Sequence, residues 1–294
     1  MAANPAFNRL EQDARSGYAA FRDGTTPAAP QGPRAYPQQS YPQQAYGQPG
    51  VPVGQDRLEH MYNAPSATPV QAGRVTMDDV IMKTLGLFAI VLAFGAAGWF
   101  AAATNPGLGF MLWMGGMIGT LILGLVIAFK KTLSVPLILG YAALEGLFVG
   151  AVSQFFETMY GGIVAQAVLA TLATFAGMFA AYKFGLIKVT DKFRRIVTMM
   201  IFGYAIFAVV NFIFAMVTNT AFGFGGSGTV GILISLFAVG LASVSLALDF
   251  DSVDRAIATG APQKYSWLLA HGIIVTLVWL YIEFLRLIAR LRSE

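Results

Sequence analysis

From about residue 80 onward, the sequence consists of seven long apolar segments separated by short polar breaks. A helix needs roughly 20 apolar residues to cross the hydrocarbon of a bilayer, and each segment has about that length. The pattern therefore predicts an all-α membrane protein, with a seven-transmembrane-helix domain over residues 77–294 that sits in a lipid bilayer. The expected spans are about 81–103, 108–129, 133–154, 162–183, 194–217, 229–252 and 268–289.

Composition argues against several classes of function. Only 12% of the 294 residues are charged, whereas soluble domains usually carry about 25%. With no cysteine and only two histidines, a thiolate site or a multi-histidine metal site is not expected. The net charge of +4 is better explained by orientation signals beside a membrane than by nucleic-acid binding. We therefore expect no resident cofactor and no nucleic-acid partner.

Residues 1–76 have a different composition from the rest of the chain. The part at 25–56 is rich in Pro, Gln and Gly and repeats the unit YPQQ. Such a segment cannot bury a core, so we expect a cytoplasmic, largely disordered tail. Residues 5–22 could form a short amphipathic helix at the membrane surface. The tail could also bind partner proteins. Because its first residues contain no apolar stretch, we expect no cleavable signal peptide.

Basic residues occur in alternate breaks between the apolar segments. The breaks around 104–107, 155–161 and 218–228 contain neither Lys nor Arg. Because cytoplasmic loops carry the excess of basic residues, the pattern predicts a cytoplasmic N-terminus in the cell (inner or plasma) membrane. The basic residues of the other breaks are Lys130, Lys131, Lys183, Lys188, Lys192, Arg194, Arg195, Arg255 and Lys264.

The last apolar segment leaves two topologies open. Seven spans place the C-terminus outside, although it carries Arg286, Arg290 and Arg292. Either the segment crosses and its arginines reach the far headgroups, or it enters the membrane and returns. Topology depends most on the early helices and the short loops, so we expect seven spans.

Carboxylates inside the apolar segments are the main candidates for function. Glu145 lies near the middle of the third segment, Asp251 at the inner end of the sixth and Glu283 in the seventh. A carboxylate in hydrocarbon costs several kcal/mol unless it is paired, protonated or hydrated. Asp249 and Asp254 flank Asp251, and in a helix residues 251 and 254 share a face whereas 249 and 251 do not.

An antiparallel pair of helices brings together residues that are equidistant from the connecting turn. The midpoint of 251 and 283 is 267, so Asp251 and Glu283 can meet if the connection after Gly260 runs to about 270. Two adjacent carboxyls cannot both stay ionised cheaply, so such a pair could share a proton or bind a cation. In the alternative, Asp251 faces cytoplasmic water and Glu283 pairs with Arg286. Glu145 could equally make only a buried hydrogen bond.

Three motifs carry a resemblance to a known family. They are GYAALEGLFVG around Glu145, FDS at 250–252 and LYIEFLRL around Glu283. With seven spans, they resemble the Bax inhibitor-1 family (the transmembrane Bax-inhibitor-motif proteins), especially its bacterial members, over about 77–292. The resemblance implies a helical bundle with the seventh helix at its centre, and a pH-sensitive calcium or cation leak.

The resemblance also implies roles for individual residues. Asp251 and Glu283 match the two acids that hold the family's pore closed and respond to pH, so they are the expected gating residues and transient calcium ligands. Bacterial members have an arginine at the inner end of the second helix, where this chain has Lys130 and Lys131. Lysine cannot form arginine's bidentate fork, so this part of the gate would be weaker.

Three classes of function remain to be separated. A calcium or cation leak would use Asp251 and Glu283, with Glu145, Asp249, Asp254 and Arg286 as supporting residues. An interaction protein, such as a modulator of a membrane protease, would act through residues 1–76. An enzyme is not expected, because an acid pair without other catalytic residues gives little support for catalysis.

Overall fold

The computed structural model describes residues 73–130, 132–220 and 222–293, and every regular element in these ranges is a helix. All seven helices are long and apolar enough to cross a membrane, which confirms the predicted fold class. Of the tail expected over residues 1–76, residues 1–72, with the amphipathic segment, lie outside the described residues, as does Lys131. The helices are α1 (Met77–Thr104), α2 (Pro106–Phe129), α3 (Val135–Met159), α4 (Ile163–Lys183), α5 (Asp191–Thr218), α6 (Thr229–Ala258) and α7 (Tyr265–Arg292).

Local sequence explains where several helices begin and end. The Thr76 hydroxyl accepts a hydrogen bond from the backbone N–H of Asp79 (3.2 Å), and Asn105 caps α2 in the same way, with Pro106 at the first helical position. Such caps satisfy N–H groups that have no partner within the helix. Gly260 adopts φ +64° after the end of α6, which confirms the expected helix stop near 258.

Glycines bring α1 and α3 into close contact. A Cβ atom at Gly98, Gly146 or Gly150 would overlap backbone atoms of the opposite helix. Small residues allow such an approach, which gives dispersion contacts that lipid cannot replace. Gly146 and Gly150 of α3 therefore serve helix packing.

Helix α7 lies at the centre of the bundle, as the resemblance implied. It packs against α1, α3, α4 and α6, and each of the four hydrophobic core clusters contains residues from it. It is continuous over 28 residues, which fits a segment that crosses the membrane rather than one that turns back. Leu280 and Leu285 are fully buried within these contacts.

Hydrogen bonds connect neighbouring segments of the chain near both ends of α7. Near its start, the backbone N–H of Val75 donates to Ala261 O (2.8 Å) and that of Gln263 to Gly73 O (2.7 Å). The segment before α1 is thereby joined to the α6–α7 loop. Near its end, Arg290 donates to the Phe222 carbonyl in the α5–α6 connection and to the Gly231 carbonyl in the first turn of α6. Arg292 donates to the Tyr160 and Gly161 carbonyls in the α3–α4 connection.

Helix α5 is the least buried of the seven. Val197 is its only buried residue, and its backbone packs beside α6 alone among the described helices. An apolar groove of about 520 Å³ separates parts of the two helices, with Gly203, Phe207 and Ile234 among its lining residues. Polar contacts therefore carry much of the attachment of α5.

Candidate functional site

The register of α6 against α7 places Asp251 and Glu283 apart. The loop between these helices covers only residues 259–264, so it is centred near 262 rather than 267. Asp251 lies seven residues before the end of α6 and Glu283 eighteen residues after the start of α7. At 1.5 Å per residue this difference is an axial offset of about 16 Å. The predicted direct pairing was therefore wrong, because pairing requires a loop centred near residue 267 and this loop is centred about five residues earlier.

Asp251 is paired with arginines at the end of α6. Its Oδ2 accepts hydrogen bonds from Arg194, in the first turn of α5, and from Nε of Arg255 (2.9 Å), one turn further along α6. The guanidinium of Arg255 also lies 3.6 Å from Asp191 in α5. These charges connect the start of α5 to the end of α6.

Glu283 is buried, with only 2% of its surface exposed. Its Oε1 accepts hydrogen bonds from the Tyr204 hydroxyl (2.7 Å), Trp279 Nε1 (3.1 Å) and Arg286 Nη1 (3.5 Å). Tyr204 belongs to α5 and stacks on Trp279 with 5.7 Å between ring centroids. The sequence alternative in which Glu283 pairs with Arg286 is thus present, together with a contact to α5.

The two expected gating acids therefore share a neighbour rather than contacting each other. Asp251 holds the start of α5 through Arg194, and Glu283 holds its middle through Tyr204. At the far end, the Asn211 side chain accepts a hydrogen bond from the N–H of Phe224 (2.6 Å). Polar contacts at three points along α5, its start, its middle and its far end, thus hold the helix that has the least buried surface, and we call them the α5 tethers.

A polar cavity lies beside Asp251. It has a volume of about 370 Å³, and Lys183, Lys188, Asp251 and Asp254 are among its lining residues. Asp254 accepts a hydrogen bond from the Tyr182 hydroxyl (2.7 Å). Residues 251 and 254 share a face, as expected, and border the same cavity.

The other sequence candidates lie elsewhere in the bundle. Glu145 is buried in α3 and accepts a hydrogen bond from Tyr141, and Asp249 lies close to the Thr276 hydroxyl. Lys130 is exposed at the end of α2. The cations beside Asp251 are instead Arg194 and Arg255, so the expectation of a basic partner from α2 does not match this arrangement.

Sequence reasoning identified Arg286 as a partner of Glu283 but missed the other partners of the two acids. Arg255 follows Asp251 by four residues, which is a recognisable helical ion-pair spacing. Arg194 was interpreted only as an orientation signal, and Tyr204 gave no local signal because its contact with Glu283 spans 79 residues. Contacts between distant segments cannot be read from spacing alone.

The geometry limits how calcium could be bound. Within the described ranges, no group of three or more His, Asp or Glu side chains could hold a metal ion. Asp251 and Glu283 are too far apart along the bundle to be ligands of one ion. The arrangement supports transient contacts with a passing cation better than a resident site.

Comparison with known protein families gives one match. A family model described as Bax inhibitor 1 like matches residues 4–293, nearly the whole chain. The match includes all seven helices and the residues around Asp251 and Glu283. No curated protein matches the chain.

Proposed function

This chain belongs to the Bax inhibitor 1 like family, and we propose that it is a non-enzymatic, pH-sensitive cation leak, with calcium as the permeant ion. The observation that carries the proposal is that both acids expected to gate the pore bind α5, the helix with the least buried surface. We propose that α5 is the gate and that these acids hold it closed.

Movement of α5 would uncover a polar interior. Behind Tyr204 lies the buried Glu283, and the buried Arg290 follows on α7, where it donates to the Ser235 hydroxyl (2.9 Å). Polar side chains facing the inside of a bundle mark ion pathways in membrane proteins. The groove between α5 and α6 leaves space into which α5 can shift.

Protonation of the acids gives the gate its pH response. The carboxylate of Asp251 pairs with two arginines, and hydrogen bonds to charged groups contribute about 1.5–3 kcal/mol each. A proton on Asp251 or Glu283 removes the negative charge and weakens these contacts. We therefore expect the closed state to weaken, and the flux to rise, as the pH falls.

The cavity beside Asp251 is the proposed inner mouth of the leak. Asp251 and Asp254 supply carboxylate oxygens, which calcium prefers as ligands, while Lys183 and Lys188 limit how strongly a cation is held. Binding that is weak enough to release the ion is what conduction requires.

We further propose a cytoplasmic N-terminus and an outside C-terminus in the cell membrane. The contacts of Arg290 and Arg292 with the connections after α3 and α5 support this arrangement. Those connections lack basic residues, as expected for outside loops. Because Arg290 and Arg292 bind these loops, the basic residues at the C-terminus do not argue against its proposed location outside.

The test is calcium flux into sealed liposomes that contain the purified protein, measured from about pH 8 to about pH 4, so that the scan reaches the ordinary range of carboxyl groups. We expect wild-type flux to rise as the pH falls. Asp251→Asn and Glu283→Gln should conduct at high pH and lose most of the pH response. The matched control is Asp78→Asn, which changes an exposed acid in the first turn of α1.

Two results would contradict the proposal. One is the absence of flux above empty liposomes from protein shown to be folded. The other is a pH profile that neither substitution changes.

A regulatory role of the N-terminal tail is the second candidate, and one observation favours it. The segment 73–75 is hydrogen-bonded to the α6–α7 loop, so a partner bound to the tail could act on both helices. Removal of residues 1–72 tests this role, because a purely regulatory protein should lose its effect while flux through a simple leak should stay unchanged.

A further inference from the structure

Glu145 occupies a second buried site, away from α5. It lies ten residues into α3, about 15 Å along the helix, and only 3% of its surface is exposed. Its Oε1 accepts a hydrogen bond from the Tyr141 hydroxyl (3.1 Å). The Tyr141 ring meets the ring of His271 edge-on, with 4.5 Å between centroids. The site is therefore at the contact between α3 and α7.

The other oxygen of this carboxyl has no partner. Oε2 of Glu145 is buried and makes no hydrogen bond to the described part of the chain. The ion pairs among residues 73–130, 132–220 and 222–293 involve Asp79, Asp191, Asp251 and Glu283, and none includes Glu145. Glu145 thus has a single donor and no countercharge.

The neighbouring helices offer little compensation. On α1, Lys83 is paired with Asp79 near the start of the helix and donates to Ser266. α2 contains no ionisable side chain, and its Thr120 hydroxyl donates to the backbone carbonyl of Gly116. On α7, His271 is the ionisable group nearest to Tyr141.

A second acid lies at the same depth on another side of α7. The contacts of Tyr141 with His271 and of Ser153 with Tyr281 place Glu145 near residue 274 of α7. Asp249 of α6 lies between Gly272 and Thr276. Because consecutive helix residues point about 100° apart, these two acids face different sides of α7. Asp249 therefore gives Glu145 neither a hydrogen-bond donor nor a countercharge.

Comparison with Glu283 shows what these surroundings imply. The two glutamates are almost equally buried, but Glu283 has three donors, one of them an arginine. An uncompensated carboxylate in an apolar interior costs several kcal/mol, and a neutral acid avoids that cost. We propose that Glu145 is an intramembrane proton-binding site, which keeps its proton while Tyr141 and His271 hold α3 against α7.

The proton leaves only when water reaches the carboxyl, because only water can then solvate the charge. Glu145 is thus a proton site distinct from the α5 tethers, and its ionisation follows opening of the α3–α7 contact. The proposal does not require the leak, since proton occupancy is measurable in folded protein that conducts nothing.

Infrared spectroscopy of the reconstituted full chain tests the proposal directly. A protonated carboxyl has a C=O stretching band that a carboxylate lacks. At neutral pH, we expect Glu145→Gln to lose intensity in this band and the exposed control Asp78→Asn to keep all of it. Tyr141→Phe removes only the hydroxyl donor, so the band should remain and shift to higher frequency.

Each outcome decides the proposal. Loss of band intensity in Glu145→Gln supports it, and so does the frequency shift in Tyr141→Phe if Glu145→Gln does not fold. An unchanged band in both variants would show that Glu145 is ionised and would overturn it. Asp249→Asn, run in parallel, assigns any intensity that remains to the second acid.

Discussion

Helices α7 and α5 are both long and apolar, yet they are held in the protein by different forces. Twelve residues of α7 are buried against its neighbours, whereas α5 buries only Val197. α7 is held by packing, which does not depend on pH. α5 is attached by Asp251, Glu283 and Asn211 through polar contacts, two of which depend on the charge of an acid. Hydropathy alone does not distinguish the central helix α7 from the little-buried helix α5.

The largest effect is expected from truncation in α7. Leu280 is fully buried, and Leu→Ala in a packed core costs about 2–5 kcal/mol. We expect the lower end of this range, because the side chain exchanges protein contacts for lipid rather than for water. Thermal unfolding in detergent should show the loss, with an unchanged pH profile of flux. The control is Ile206→Ala on the lipid-facing side of α5, and an equal loss there would remove the contrast between the helices.

Neutralising Asp251 should have the next largest effect, on the gate rather than on the fold. Asp251→Asn removes the charge that pairs with Arg194 and Arg255, at a cost of about 1.5–3 kcal/mol to the closed state. Flux at high pH should rise by about tenfold or more. Arg194→Gln removes the same contact from the α5 side and should act alike. Unfolding of Asp251→Asn without any change in flux would assign the pair to stability alone.

The smallest effect is expected from Tyr204→Phe. The substitution keeps the ring that stacks on Trp279 and removes only the hydroxyl that donates to Glu283. Loss of one such hydrogen bond costs about 0.5–1.5 kcal/mol, which corresponds to a rise in flux of up to about tenfold. Flux assays on Tyr204→Phe and Phe207→Leu separate loss of the hydroxyl from loss of aromatic packing, because Phe207 borders the same groove. An equal response of both variants would argue against a specific role of the Tyr204 hydroxyl.

Much of the fold was predictable because the bilayer sets the length of its spans. The seven segments and the stop after α6 were confirmed, since apolar length and a glycine with positive φ are local properties. The position of α7 at the centre came from the resemblance, not from hydropathy.

The candidate site was only partly predictable. The sequence identifies Asp251 and Glu283 as acids that are costly to place in hydrocarbon. Whether they contact each other depends on where the loop between α6 and α7 lies. The loop is centred about five residues before residue 267, and because this displacement counts on both helices, it separates the two acids by about 16 Å along the bundle. The roles of Arg194 and Tyr204 depend on contacts across 57 and 79 residues, for which a single sequence holds no local signal.

The distance between α5 and α6 as a function of pH tests the central claim most directly. The chain has no cysteine, so spin labels can be attached at Ile206→Cys and Leu236→Cys, two lipid-facing positions outside the tethers. The account predicts that this distance increases between about pH 8 and about pH 4, and that Asp251→Asn is already displaced at the higher pH. A distance that stays constant over this range in both proteins would contradict the assignment of α5 as the gate.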